Sequence, residues 1–423
     1  MIELSQIQEN KELIIDKLSK RNVDYSSAIN KVFEFDKKRR SSQKELDELL
    51  ARSNSLNKEI GILYKKNEKE KADDLKKQSA DLKSESRQLK ENQKVIEHAI
   101  WTELSQIPNP PHNSVKAGKG EEENEVILEM GDKPELHSGA LPHWELAAKY
   151  KLIDFDLGSK ITGAGFPVYL GKGAKLQRAL ISFFLDSAIE QHYEEVIPPL
   201  LINEESGFGT GQLPDKDGQM YHATQDNLFL IPTAEVPITN IFRDVILREI
   251  DLPIKRAGYT PCFRREAGSY GKDVRGLNRL HQFDKVEVVQ IERPENSYET
   301  LDQMVTYVQG LIQSLDLPFR ALALCGGDLG TAAAKTIDLE VYSGAQKKWL
   351  EVSSVSNFET YQANRLKLRY KDSDNKMNFC HTLNGSALAL PRIVAALLEN
   401  NQTIDGIKIP KVLVPYTGFE WIK

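Results

Sequence analysis

The sequence predicts an α+β protein in which a long antiparallel helical coiled-coil hairpin precedes a domain built on an antiparallel sheet flanked by helices. Three observations carry that expectation. From about residue 27 to 104 the chain has no proline and one glycine, Gly61, in a Lys-, Glu- and Leu-rich composition that favours long helices. Pro108, Pro110 and Pro111 then forbid further helix. Beyond them, strand-like runs (NLFLIPTAEVPIT, AGYTPCFRREA, LHQFDKVEVVQIE, TIDLEVYS, KWLEVSSVSN) are separated mainly by turns, with helical runs such as DQMVTYVQGLIQSL inserted at intervals. That order favours an antiparallel sheet over a doubly wound parallel one.

In the hairpin, Leu46, Leu49, Leu56, Ile60 and Leu63 recur at spacings near three, four and seven. Leu75, Leu82, Leu89 and Ile96 then fall seven apart, and the seam positions between them are Ser79, Ser86, Gln93 and Ile100. This is a heptad with half its seam polar, enough to hold two helices together while offering little to a third surface. The polar run KKNEKEKADD places the fold-back at about residues 64 to 74, and the arm should project into solvent. Residues 31 to 100 carry 18 Lys and Arg against 14 Asp and Glu, net +4, whereas the whole chain is −6. Attraction to nucleic-acid phosphate is one reading of that contrast. A dimerising coiled coil and a merely solvated helix stand beside it on composition alone.

The expected organisation is an N-terminal domain at 1–107, a flexible linker at 108–125 containing KAGKGEEEN, and a main domain at 126–423. A chain of 423 residues exceeds one ordinary core, so division is expected. An amphipathic helix of about sixteen residues starts near Ala174 and leads into a strand at Glu195 to Ile202, whose Pro198 and Pro199 suit an edge or interface. No signal-peptide pattern and no run of about 20 apolar residues occurs, so a cytoplasmic location without membrane contact is expected. Cys262, Cys325 and Cys380 are too few and too dispersed for a disulfide framework or a metal knuckle, and no zinc is expected.

The stretch CFRREAGSYGKDVRGLNRLHQFDKVEVV, residues 262 to 289, carries Arg264, Arg265, Lys272, Arg275, Arg279 and Lys285 around a loop with Gly268, Gly271 and Gly276. A hairpin needs no such charge, so an anion is expected against it. Neither a P-loop nor a Gly-x-Gly-x-x-Gly turn opening a helix occurs. A bound nucleotide would be held by arginines rather than by a glycine loop.

Together with IPNPPH (107–112), GTGQLP (209–214), PTAEVP (232–237), EVSSVSN (351–357) and the TLNGSALA segment followed by Arg392, this stretch resembles the class II aminoacyl-tRNA synthetases, and among them the bacterial-type seryl-tRNA synthetases. The resemblance spans nearly the whole chain. It implies a class II catalytic domain, serine activation by ATP to seryl-adenylate and pyrophosphate, and transfer to the tRNA for serine; whether the tRNA for selenocysteine is also charged stays open. It matches Arg264, Glu266, Arg279, Leu280, Phe283, Glu351, Val352, Ser353, Ser354 and Arg392 to ATP-binding positions, with Arg264 and Arg392 catalytic. Glu351 and Ser354 match the magnesium ligands, hard oxygens suited to that ion. Thr233, Ala234, Glu235, Glu287 and Ser386 match the serine-binding set. A carboxylate that accepts from the serine hydroxyl would reject alanine, which leaves it unpaired, and threonine must be excluded by space.

The resemblance also implies a homodimer through the segment around Pro198 and tRNA rather than DNA as partner of the arm, while the place of His281 between apolar positions in LHQF favours a structural role for it over general-base chemistry. No side-chain nucleophile is required, which agrees with the lack of any Ser/His/Asp or Cys/His constellation. Val355, Ala387 and Pro391 depart from the family pattern, and Ala387 is expected to narrow the room beside Ser386. A prolyl- or threonyl-type synthetase, a ligase charging a carrier protein and a non-catalytic coiled-coil adaptor are the alternatives.

Overall fold

The computed structural model describes residues 1–266 and 275–423; Gly268, Gly271 and Lys272 of the basic loop lie outside the described residues. The chain divides into two compact units, one of residues 2–19 and 24–108, the other of Met1, residues 20–23 and 109–423.

The first unit contains α1 (Leu4–Ser19), α2 (Ser26–Lys65) and α3 (Lys69–Gln106). Lys31 pairs with Glu103 at one end, and Tyr64 bonds Asp73 at the other, so α2 and α3 run antiparallel. The fold-back is far shorter than the polar run suggested. It occupies residues 66–68, because a complete Schellman turn ends α2: Asn67 takes the left-handed conformation (φ 64°), its N–H donates to Tyr64 O at 3.2 Å, and Glu68 N–H donates to Leu63 O at 3.0 Å. Lys69 onward consists of good helix formers and simply continues as α3. Along the seam the polar positions Ser79, Ser86 and Gln93 are buried more deeply than Leu75, Leu82 and Leu89. Ser79 donates to Asn57 Oδ1 at 2.9 Å and Gln93 to Gln43 Oε1 at 2.6 Å, so cross-helix hydrogen bonds set the register that leucines alone would leave free. Nearer the base, Asp36 is buried and receives Gln8 at 2.7 Å, Arg39 at 2.8 Å and Arg40 at 3.1 Å.

The second unit is organised on an eight-stranded sheet. Its strands are β1 (Glu125–Met130), β2 (Glu194–Glu195), β3 (Ile254–Phe263), β4 (Gln282–Glu292), β5 (Phe319–Ala323), β6 (Lys335–Ser343), β7 (Lys348–Asn357) and β8 (His381–Ala389). They lie in the order β1-β5-β6-β7-β8-β4-β3-β2, antiparallel throughout except for the short edge pair β2/β3. The antiparallel α+β expectation therefore holds. Helices α4 (His143–Lys149), α5 (Gly171–Glu190), α6 (Ser297–Ser314) and α7 (Leu390–Asn400) contribute Leu146, Leu180, Phe184, Met304, Val308, Ile393 and Leu397 to one large core with Val286, Val288, Leu339 and Val352 of the strands.

Two local readings change. The segment expected as a flexible linker is tied down: Asn109 N–H donates to Thr331 O at 2.8 Å, its side chain to Ala332 O and Phe358 O, and His112 N–H to Ala334 O. Arg21 also donates to Asn109 O and Leu329 O, satisfying carbonyls that a proline-rich stretch cannot pair within itself. The expected strand at 195–202 splits, with β2 on the main sheet and Leu201–Ile202 pairing instead with Leu228–Leu230, because Pro198 and Pro199 between them supply no N–H to a ladder. Helix α5 is 20 residues long and begins at Gly171, slightly before the expected start. Among the described residues no helix is long and apolar enough to cross a membrane.

Asp36 gives this architecture a direct test. Replacing Asp36 by Ala removes the buried acceptor shared by Gln8, Arg39 and Arg40 and should destabilise the first unit by about 1 kcal/mol in chemical denaturation, because the arginines left behind are partly solvated; an unchanged midpoint would refute the role of this cluster.

Candidate active site

The site is assembled by register on the central strands. Strand β4 is buried from Lys285 to its end, so alternate residues sort into two environments: Val286 and Val288 enter the main core, while Lys285 and Glu287 turn to the other face. Antiparallel pairing then sets Glu287 opposite Ser386 of β8 and opposite Gly258 of β3, and Phe283 opposite Cys262. Residues nearly a hundred positions apart thus share one patch of sheet.

Glu287 is fully buried. Its carboxylate receives Lys285 Nζ at 2.5 Å, Asn384 Nδ2 at 2.9 Å and the Ser386 hydroxyl at 3.3 Å. Lys285 Nζ also donates to Thr233 Oγ1 at 2.7 Å. Glu235 begins a short helix, Glu235–Asn240, and accepts from Gln362 Nε2 at 2.7 Å; Gln362 is held in turn by the Thr382 hydroxyl at 2.7 Å. Burial, and then the like charge of Glu287, push the Glu235 carboxyl up to about 7, against the opposing effects of Gln362, Lys285 and Arg264. The result is a compact polar cluster that holds two carboxyls and one ammonium inside the protein.

Beside it lies an exposed basic surface. Arg264 follows the end of β3, where its N–H donates to His281 O at 2.9 Å and its guanidinium lies 5.2 Å from the centre of the Phe283 ring. Arg279 pairs with Glu266, which takes a left-handed conformation (φ 50°). Arg392, in the first turn of α7, donates Nε to Asn278 O at 3.0 Å and Nη1 to Glu351 O at 2.7 Å. Its charge also lies 3.8 Å from the Glu351 carboxylate. The Ser354 hydroxyl reaches Glu351 Oε1 at 3.5 Å, so both proposed cation ligands project from β7.

The donor chemistry there fits a hard divalent cation. Asp338 of β6 stands opposite Ser354 and hydrogen-bonds it, while its Oδ1 is buried without a hydrogen-bond partner among the described residues. Burial, and then Glu351, hold its carboxyl well above the ordinary range. The Asp338 carboxyl is therefore held neutral beside Glu351, and a cation bound there would favour its ionisation. Among the described residues no group of three or more His, Cys, Asp or Glu could hold a metal by itself, so an ion here would draw on water and phosphate oxygens as well, the usual habit of magnesium.

The comparisons with known proteins bear on the whole chain. Residues 1–111 match the model for the seryl-tRNA synthetase N-terminal domain, and residues 220–401 match that for the tRNA synthetase class II core domain (G, H, P, S and T). The serine–tRNA ligase of Salinibacter ruber is 48% identical over 421 residues, covering 99% of this chain and 98% of the relative. The chain belongs to the seryl-tRNA synthetase family. The serine–tRNA ligase of Methylacidiphilum infernorum is 45% identical with complete coverage of both chains. A crystal structure of seryl-tRNA synthetase from Pyrococcus horikoshii complexed with ATP superposes with a TM-score of 0.94 at 34% identity, covering 100% of this chain and 99% of that one.

Within this seryl-tRNA synthetase fold, two clusters emerge from the residues singled out in the sequence: Thr233, Glu235, Glu287 and Ser386 in the pocket, and Arg264, Glu266, Arg279, Phe283, Glu351, Ser354 and Arg392 on the surface beside it. Three others do not present side chains to either. Leu280 and Val352 are core residues, and Ala234 packs on Ile238 and Val289, so only their backbone groups remain for a ligand. Ser353 is likewise committed, donating to Ser386 O at 2.7 Å. The expectation that Ala387 crowds Ser386 is corrected: strand alternation sends Ala387 to the opposite face, into the main core. His281 bonds Tyr221 and stacks on Phe166 at 5.3 Å, a structural placement. Lys285, Gln362, Thr382, Asn384 and Asp338 had no assigned role, although polar residues spaced by two within otherwise apolar strands were a usable signal for Asn384 and Lys285.

The raised Glu235 carboxyl has a thermodynamic signature. A group whose folded pKa is lifted from 4.5 to about 7 favours the fold fully below its unfolded value and loses that contribution as pH rises through about 7. Glu235→Gln, which removes the ionisation, should raise Tm by about 5 °C at pH 8 and leave it nearly unchanged at pH 4. A lower Tm at pH 8 would show that the ionised carboxylate is favourable in the fold.

Proposed function

We propose that this protein activates serine with ATP and transfers the seryl group to the tRNA for serine, a reading supported by relatives that are named serine–tRNA ligases. The observation that carries this reading is the buried Glu287–Lys285–Thr233–Glu235 cluster, whose hydroxyl and carboxylate acceptors suit a small amino acid bearing an ammonium and a hydroxyl. A carboxylate such as Glu287, already accepting from the Ser386 hydroxyl, can accept from a substrate hydroxyl in the same way. Alanine lacks the hydroxyl that such an acceptor would take up and so would bind more weakly than serine.

In the proposed first step a serine carboxylate oxygen forms a bond to the α-phosphorus of ATP as the bond from that phosphorus to the bridging oxygen breaks, and pyrophosphate leaves. Arg264 supports the α-phosphate with paired hydrogen bonds that strengthen as charge builds on it. Phe283, beneath that guanidinium, offers a face for the adenine, Glu266 meets its edge, and Arg279 and Arg392 take the outer phosphates. Glu351 and Ser354 would hold magnesium, which when bound neutralises phosphate charge. In the second step a hydroxyl of the terminal tRNA ribose attacks the seryl carbonyl, and AMP departs with the electrons of the broken mixed-anhydride bond. Positioning and charge stabilisation suffice, so no side-chain nucleophile is required.

The arm of residues 26–106 supplies length and a net positive stretch suited to reading RNA by shape and backbone. A second copy of the chain is the proposed partner of the edge near β2, where Ile197, Leu200 and Leu201 are exposed beside Pro198 and Pro199. The proposed location is the cytoplasm, where charged tRNA is used.

ATP–pyrophosphate exchange with magnesium should depend on serine and stay at background with alanine, threonine or proline. Exchange driven by another amino acid would overturn the pocket assignment. Arg264→Ala should lower serine-dependent exchange by about 10³-fold while sparing tRNA binding, since it removes charge support at the reacting phosphorus only. Deleting residues 31–100 should do the reverse, preserving exchange and abolishing tRNA charging; full charging by that variant would remove the arm from the mechanism.

A further inference from the structure

The turn that carries Arg279 is gripped from behind by a buried hydrogen-bonded bracket. His143, the first residue of α4, is fully buried. Its Nε2 lies 2.8 Å from the backbone N of Leu277, and its Nδ1 lies 2.7 Å from Glu399 Oε1. The Leu277 N–H can only donate, so Nε2 must carry the lone pair and Nδ1 the proton. The ring is thereby committed to one neutral tautomer, with Glu399 as the acceptor that selects it.

The bracket closes through two further contacts. Gln346 Nε2 donates to Glu399 Oε1 at 2.9 Å, and its Oε1 accepts from Asn278 Nδ2 at 2.9 Å. Asn278 O then receives Arg392 Nε, and Arg392 shares α7 with Glu399. One circuit therefore joins α4, α7 and the 276–279 turn. Gly276, at φ 68°, sits directly against the imidazole, where a Cβ would collide with Nε2. Trp144, the next residue of α4, lies under the Arg275 guanidinium at 5.5 Å from its ring centre. These groups converge on the 275–279 segment, which carries Arg279 and the Asn278 carbonyl that receives Arg392.

We infer that His143 is a positioning residue for nucleotide binding: as a neutral imidazole relayed from Glu399, it holds the Leu277 N–H and so fixes the turn that aims Arg279 and supplies the carbonyl that orients Arg392. The inference rests on the ATP-site reading given above and adds a residue that touches no substrate.

Two replacements separate this role from a merely structural one. Gln can set its amide oxygen where Nε2 stands and still accept from Leu277, whereas Asn reaches only as far as Nδ1 and keeps the bond to Glu399 alone. Calorimetric titration of the full-length protein with ATP and magnesium, compared with serine KM in exchange and with Tm, reads both. His143→Asn should weaken ATP binding by about tenfold, the scale of one buried N–H left without an acceptor. His143→Gln should recover most of that loss, and serine KM should stay within about twofold in both. Gln346→Ala, which opens the circuit without touching the histidine, should weaken ATP binding in the same direction, so the assignment does not hang on one variant's folding. Equal ATP affinity in the unaltered chain and all three variants, or a better Asn than Gln variant at equal Tm, overturns the role of His143 alone. Absence of ATP binding by the unaltered chain overturns the nucleotide-site reading and this inference together.

Discussion

Glu287 sits fully buried in the middle of the sheet, and the rest of the site is arranged around making that charge tolerable. An isolated carboxylate there would be strongly disfavoured. Lys285, two residues along the same strand, provides the opposite charge at 2.5 Å, and Asn384 and Ser386 occupy further lone pairs. Because the strand period places Lys285 and Glu287 on one face, the ion pair is prepared by local geometry before any tertiary contact forms. Its remaining partners arrive only when β8 pairs alongside, which couples correct sheet register to a working pocket. A slip of one residue would turn Glu287 into the apolar core and expose Val286 and Val288 to the polar side.

Glu235 shows the limit of that compensation. Two buried carboxyls share one lysine, and the second is held up near neutrality by burial and by its neighbour. Such a pair is poised to accept one more cation. A substrate ammonium would complete the charge balance that the protein alone leaves short, so binding and ionisation of Glu235 are linked. The same pattern recurs beside Arg392, where burial and the neighbouring Glu351 hold the Asp338 carboxyl neutral until a cation would offset its charge. Both regions store an electrostatic deficit in a preorganised place, with the fold supplying the energy that keeps it there.

The helical unit follows a related rule at lower intensity. Its seam is polar where a simple coiled coil would be leucine-rich, and the buried Ser79–Asn57 and Gln93–Gln43 pairs select one register in a long hairpin. Stability is given up for definition, as in other coiled coils with polar seam residues. For a device proposed to measure the shape of an RNA, a single register matters more than the last increment of stability.

Much was legible in the chain itself. Composition and proline placement located the two helices and their end, turn-separated strands indicated the α+β body, and the clustered arginines of 262–289 pointed to an anion. These features are local: helix propensity, heptads and strand alternation act over a few residues. The fold-back at Asn67 was misjudged because polarity suggested a loop where one left-handed residue was enough. The anchoring of the proline-rich segment, the Lys285 and Asn384 partners of Glu287, the orphan oxygen of Asp338 and the inward turn of Ala387 were decided only by tertiary structure. Each depends on which strand lies beside which and in what register. Pairings between residues tens to hundreds of positions apart leave no periodic trace along the chain, and they exist only once burial removes water as the alternative partner.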